Sequence, residues 1–143
     1  MRVSECMSRD VRVVTPKATL REAAQAMAEW DTGSLPVADG DALAGMVTDR
    51  DIAVRGVAQG KGPESGVWEV MTGDVQYCHE DDKVEDALAK MGRLQVRRLP
   101  VLNTHNNLVG IVSLADLAHE EREAGEALKD IARPGGVHSQ SAH

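Results

Sequence analysis

"LAGMVTDRDI", residues 43–52, sets a short apolar run against a threonine, three charged residues and a return to apolar sequence. Further on, "LVGIVSLADL", residues 108–117, repeats it. Gly45, Val47, Thr48 and Asp51 recur as Gly110, Val112, Ser113 and Asp116. The likeness extends backwards in register. Leu35-Pro36-Val37 matches Leu99-Pro100-Val101, and Leu20, Ala23 and Met27 match Val84, Ala87 and Met91. Met7, Asp10 and Val11 match Met71, Asp74 and Val75. The period is about 64 residues, the separation of Met7 from Met71. It is too long for a solenoid unit and suits two copies of a small α/β unit.

Each copy reads strand, helix, strand, strand, helix. Residues 19–30, "TLREAAQAMAEW", place Leu20, Ala23, Ala24 and Met27 on one helical face. Thr19 followed by Glu22 forms a capping box at its start. In the second copy Asp82 takes the cap position before "KVEDALAKM". "SLPVAD" and "LAGMVT", parted by Gly40-Asp41, form a strand pair with a tight turn. "RLPVLN", "THNN" and "LVGIVS" repeat that arrangement. Pro36 and Pro100 place a strand edge or a strand start. Closing helices start near Asp49 and Leu114. "QGKGPESG", residues 59–66, is Gly- and Pro-rich and reads as a linker. The expected organisation is a first repeat over 1–60, linker 61–66 and a second repeat over 67–122. A helical extension at 123–133 and a disordered tail at 134–143 follow.

With 16 Lys+Arg against 23 Asp+Glu, the chain is acidic, which argues against nucleic acid as a partner. It has no Phe, one Tyr and two Trp, so the core is built from aliphatic residues and Met. No apolar run is long enough for a bilayer, and "MRVSECMSRD" lacks the apolar segment of a secretory signal. A cytoplasmic protein without membrane association is expected. Cys6 and Cys78 read as two reduced thiols, without CxxC spacing, and no metal is expected. Trp30 and Trp68 read as core or interface residues, and "EEREAGE", residues 120–126, as a solvated helix face.

The paired "MS"/"MT" leaders, "LPV" strands and G-x-V-[ST]-x-x-D endings resemble a tandem cystathionine-β-synthase (CBS) domain pair, a Bateman module. The resemblance covers roughly residues 2–120. The "TDRDI…RG" ending of the first copy is similar to small stand-alone bacterial CBS pairs of the hypoxic-response type. It implies an α/β (α+β) fold: two β-α-β-β-α units about a pseudo-twofold axis with two clefts, joined as a disc-like homodimer. It further implies a non-enzymatic regulatory sensor that binds AMP, ADP, ATP or another adenosyl compound, with no cofactor required.

Thr48-x-x-Asp51 and Ser113-x-x-Asp116 have the spacing of a helix cap, in which the hydroxyl bonds a first-turn N–H. The resemblance assigns the same residues to ribose and phosphate, and the two roles are compatible. Thr48 and Asp51 then serve the first cleft, flanked by the cations Lys17 and Arg50; Arg50 can instead pair with Asp49 or Asp51. The resemblance also implies an adenine slot in that cleft, with Val14, Thr15 and Ala18 as its candidates. Arg97 and Arg98 are expected either to reach that cleft from the other repeat as phosphate contacts or to lie at a solvated strand entry. Ser113 and Asp116 serve a second, weaker cleft. There Glu80, Asp81 and Asp82 replace Pro16, Lys17 and Ala18, and an acidic neighbour opposes a phosphate.

No P-loop, nucleophile elbow or acid–base pair distinct from a cap is present, so an enzyme is not expected. The rival reading is a ligand-independent dimeric interaction module, stress-related in role, with an unknown protein partner. A third is redox or metal sensing through Cys6 and Cys78.

Overall fold

A computed structural model of the protein describes residues 1–120. The expected extension at 123–133, the tail at 134–143 and most of "EEREAGE" lie outside the described residues. The chain divides into two compact units, and the division does not follow the repeats. Among the described residues, one unit is Arg12–Val75; the other joins Met1–Val11 to residues 76–120.

In the unit Arg12–Val75, α1 (Leu20–Trp30) starts where expected. Thr19 Oγ1 accepts the Glu22 N–H at 3.0 Å, and Glu22 Oε1 accepts the Thr19 N–H at 2.8 Å. Leu20, Ala23 and Met27 are buried. Ala24, expected beside them, is exposed. Strands β1 (Ser34–Asp39) and β2 (Ala42–Thr48) form an antiparallel hairpin. The strand expected before α1 is a single parallel bridge, Val14 to Val37. Bonds from Val14 N–H to Pro36 O (3.1 Å) and from Ala38 N–H to Val14 O (2.9 Å) make it. Pro36 therefore faces this side with its carbonyl, and its missing N–H falls before the bridge, where no ladder bond is broken. α2 (Asp49–Asp51) passes into a π-helical stretch, Ile52–Gly56. The core gathers Val14, Leu20, Ala23, Met27, Leu35, Val37, Val47, Val67 and Val70.

Val67 and Val70 come from the leader of the second repeat. A 3-10 turn, Val67–Glu69, carries that leader. Val67 N–H donates to Ala18 O at 2.7 Å, and Met46 and Thr72 exchange two bonds of 2.9 Å. Thr72 thereby covers the outer edge of β2, as an exposed strand edge requires. At the linker, Glu69 accepts from Lys61 Nζ and from Gly66 N–H, each at 3.0 Å. The Lys61 bond first, then the Gly66 bond, hold its carboxyl below the usual carboxylate range.

The other unit repeats the design with the opposite leader. β3 (Cys78–His79) pairs in parallel with β4 (Arg98–Leu102), which pairs antiparallel with β5 (Leu108–Ser113). α3 (Val84–Leu94) and α4 (Leu114–Glu120) complete it. Pro100 is the third residue of β4, the central strand, so it is neither at an edge nor at a strand start as expected; it is tolerated because β3 pairs only with Val101 and Leu102, beyond its missing N–H. Ser8 and Ile111 exchange bonds of 2.8 and 3.0 Å, so Ser8 covers the edge of β5 as Thr72 covers β2. Val3, Cys78, Val84, Leu88, Met91, Val101, Val112 and Leu117 form a core in which each is almost fully buried.

Two further expectations are corrected. Asp82 does not cap α3. Lys83 stands at the cap position without a side-chain bond, and Asp82 Oδ2 accepts the His79 N–H at 2.9 Å instead. Asp82 is one residue too early for the cap, and the turn that enters the helix takes its carboxylate. Trp68 is not a core residue: it is 62% exposed. Trp30 is half-buried against the core, with the Arg12 guanidinium 5.1 Å from its ring centre.

Candidate functional site

The end of β2 turns directly into a helix, and that junction holds Thr48, Arg50 and Asp51. Thr48 Oγ1 accepts the Asp51 N–H at 3.0 Å, and Asp51 Oδ2 accepts the Thr48 N–H at 3.0 Å. This is a complete capping box, so the cap is present. Asp49 N–H donates to Gly33 O at 2.9 Å, and Arg50 N–H donates to Asp49 Oδ1 at 2.8 Å. The Asp51 side chain is only 14% exposed. Its second oxygen, Oδ1, faces Arg55 Nε at 3.8 Å.

Arg55, one helical turn on, is thus the cation beside Asp51. Arg50, expected there, is exposed on the first turn. The signal for Arg55 was the i,i+4 spacing from Asp51. Arg55 Nη1 also donates to Val70 O at 3.4 Å.

The entry segment is more tightly committed than expected. Val14 is buried in the core, and both its backbone groups serve the bridge to β1. Ala18 donates to Thr15 O at 3.0 Å and accepts from Val67, while Pro16 O accepts the Trp68 N–H at 3.1 Å. Thr15 and Lys17 are exposed on this turn. The unit Arg12–Val75 therefore holds Val14, Thr15, Lys17, Ala18, Thr48, Arg50 and Asp51 together.

Arg97, Arg98, Ser113 and Asp116 share the other unit. Ser113 Oγ accepts the Asp116 N–H at 3.1 Å, and Asp116 is exposed where Asp51 is covered. Leu114 N–H donates to Arg97 O at 2.7 Å, and Arg98 pairs with Ser113 across the hairpin. The backbone of Arg97 and Arg98 thus lies beside the Ser113 helix start, with Arg98 opening β4 and Arg97 just before it. The acidic entry of this copy is bound up by the leader. Val3 N–H donates to Asp82 O at 2.9 Å, Ser4 N–H to Glu80 O at 3.0 Å, and Arg2 Nη1 to Asp81 O at 2.9 Å.

Beside that entry, Lys90 Nζ donates to Tyr77 O and lies 5.5 Å from the Tyr77 ring centre. Cys78 is buried. Burial first, then the Asp82 charge, pushes its thiol up to about 12. It is a protonated thiol at neutral pH and a poor nucleophile. Among the described residues no group of three or more His, Cys, Asp and Glu is placed to hold a metal ion.

The family model for the CBS domain matches residues 3–56 and again 67–123. CBS domain-containing protein YhcV of Bacillus subtilis is 42% identical over 132 residues, covering 90% of this chain and 94% of its own. Hypoxic response protein 1 of Mycobacterium tuberculosis is 38% identical over 134 residues, covering 91% and 93%. A crystal structure of Hypoxic Response Protein I with two coordinated zinc ions matches at TM-score 0.74 and 39% identity. It covers 83% of this chain and 98% of that one. The CBS domain pair of MJ0100, in complex with 5′-methylthioadenosine and S-adenosyl-L-methionine, matches at TM-score 0.72 and 26% identity. It covers 87% and 98%.

Proposed function

The chain belongs to the CBS-domain family, carrying two of its domains in tandem, and on that premise we propose that it is a non-enzymatic regulatory module binding an adenosine-type ligand. The Asp51 carboxylate carries the reading. Thr48 fixes its orientation at the end of β2, and its 14% exposure leaves a mostly desolvated acceptor. A carboxylate so held accepts two hydrogen bonds from the vicinal diol of a ribose, and bonds to a charged acceptor are the stronger kind. The two ligands in the MJ0100 structure share an adenosyl group, which supports the same class here. AMP, ADP, ATP and S-adenosylmethionine are the candidates.

In this reading Thr48 and Asp51 meet the ribose, with Thr15, Ala18 and Val14 on the adenine side. Lys17 and Arg50 are the nearby cations for a phosphate. Arg97 and Arg98 are further phosphate contacts, and Ser113 and Asp116 form the weaker counterpart. The module acts in the cytoplasm as a homodimer, and ligand binding signals by favouring one arrangement over another.

Thermal unfolding with and without a panel of these ligands tests the proposal. A ligand that binds only the folded state adds about 2.7 kcal/mol at a hundred times its Kd, a rise of several degrees. Asp51→Ala abolishes that rise. A second reading, a ligand-independent dimeric interaction module, has an observation of its own: both Asp51 oxygens already face partners within the chain. It requires that no ligand shifts the midpoint, and that Asp51→Ala only lowers stability, by about 0.5–2 kcal/mol as for a lost cap.

A further inference from the structure

Asp51 has one oxygen for its cap and one for Arg55. Oδ2 accepts the Thr48 N–H at 3.0 Å, while Oδ1 lies 3.8 Å from Arg55 Nε. The same guanidinium reaches the other way, from Nη1 to Val70 O at 3.4 Å. Val70 is fully buried and belongs to the second-repeat leader that completes this unit. One side chain therefore joins the proposed ribose acceptor to a borrowed segment. Between Asp51 and Arg55 the winding changes to π over Ile52–Gly56, a departure concentrated at functional sites.

We infer that Arg55 is a displaceable latch, which a ribose diol replaces at Asp51 and whose release loosens its hold on the Val67–Thr72 segment. The inference rests on the adenosyl-binding reading. It adds what ligand binding would change in this chain. A diol needs the Oδ1 acceptor, because Oδ2 is committed to the cap. Arg55 can yield it: its side chain is 54% exposed, and a half-exposed ion pair at this distance is weak. Its bond to Val70 O depends on the same guanidinium position, so the loss of one contact is felt at the other. Ligand and latch are then reciprocally coupled.

The test is calorimetric titration of the full chain with 5′-methylthioadenosine, which carries the ribose diol and no phosphate. Removing the Arg55 charge then takes away no phosphate attraction. Arg55→Gln binds tighter than wild type, by up to about fivefold, the gain available from releasing a weak, half-exposed pair. Asp51→Ala loses binding. In wild type the ligand speeds amide exchange in the peptide spanning Val67–Thr72. In Arg55→Gln exchange is already fast and the ligand adds nothing. Arg55→Lys keeps the charge but not the two-way reach, and falls between; it also serves if Arg55→Gln does not fold.

Binding by Arg55→Gln alone supports the latch in its tightest form. Equal or weaker binding by Arg55→Gln, with binding still lost in Asp51→Ala, overturns the latch and leaves the adenosyl reading standing. Binding that survives Asp51→Ala, or no binding by wild type and Arg55→Gln alike, overturns both.

Discussion

Each position of the G-x-V-[ST]-x-x-D motif has a separate physical task in this fold. Val47 and Val112 are fully buried, and Thr48 and Ser113 cap the helix that follows. The glycines admit the leaders. A Cβ on Gly45 would stand 2.5 Å from Thr72 O and 3.0 Å from Met71 Sδ; on Gly110 it would stand 2.6 Å from Met7 Sδ and 2.9 Å from Ser8 O. Backbone on one side and a packed thioether on the other leave no simple relief. Gly110→Ala and Gly45→Ala should each cost about 1–3 kcal/mol in urea unfolding, the usual range for overpacking. Gly73→Ala, with nothing within 4 Å, is the neutral control. The motif was visible in the sequence, but the reason for its glycine was not, because the atoms it makes room for lie in another part of the chain.

At the scale of elements, periodicity carried far. Helix α1 with its Thr19–Glu22 box and the two hairpins stand where the sequence placed them. The entry strands were less legible. One is a single bridge at Val14 and the other two residues, Cys78–His79, too short to show an alternation. The caps of the two main helices differ: Thr19 bonds the first turn of α1, whereas Lys83 offers α3 no side-chain acceptor. Lys83 already has the extended backbone of a cap residue, φ −74° and ψ 147°. Lys83→Thr should therefore stabilise the protein by about 0.5–2 kcal/mol, read as a raised urea midpoint with an unchanged slope. The complementary Thr19→Ala should lower it by a similar amount.

For the whole molecule, the repeats and the compact units are different divisions of one chain. Met7 and Met71 are equivalent by sequence, and nothing local says which sheet each leader will cover. The structure answers with exchange: Thr72 pairs with β2, and Ser8 pairs with β5. Arg55 escaped the sequence reading in a similar way, since its second partner, Val70, lies in the exchanged leader. Val3 is fully buried and Met7 nearly so, in the core built around α3. Met7→Ala should cost about 2–5 kcal/mol and raise amide exchange in α3 while leaving α1 protected. Equal loss of protection in both helices would refute this assignment. The exchange also orders events during synthesis. The unit Arg12–Val75 is continuous and can close once residue 75 is free, before most of the second repeat exists. Residues 1–11, made before the unit Arg12–Val75, are seated after it. Val3 and Met7 must wait, uncovered, until β5 has been translated, which is the interval in which a nascent chain would most need shelter for them.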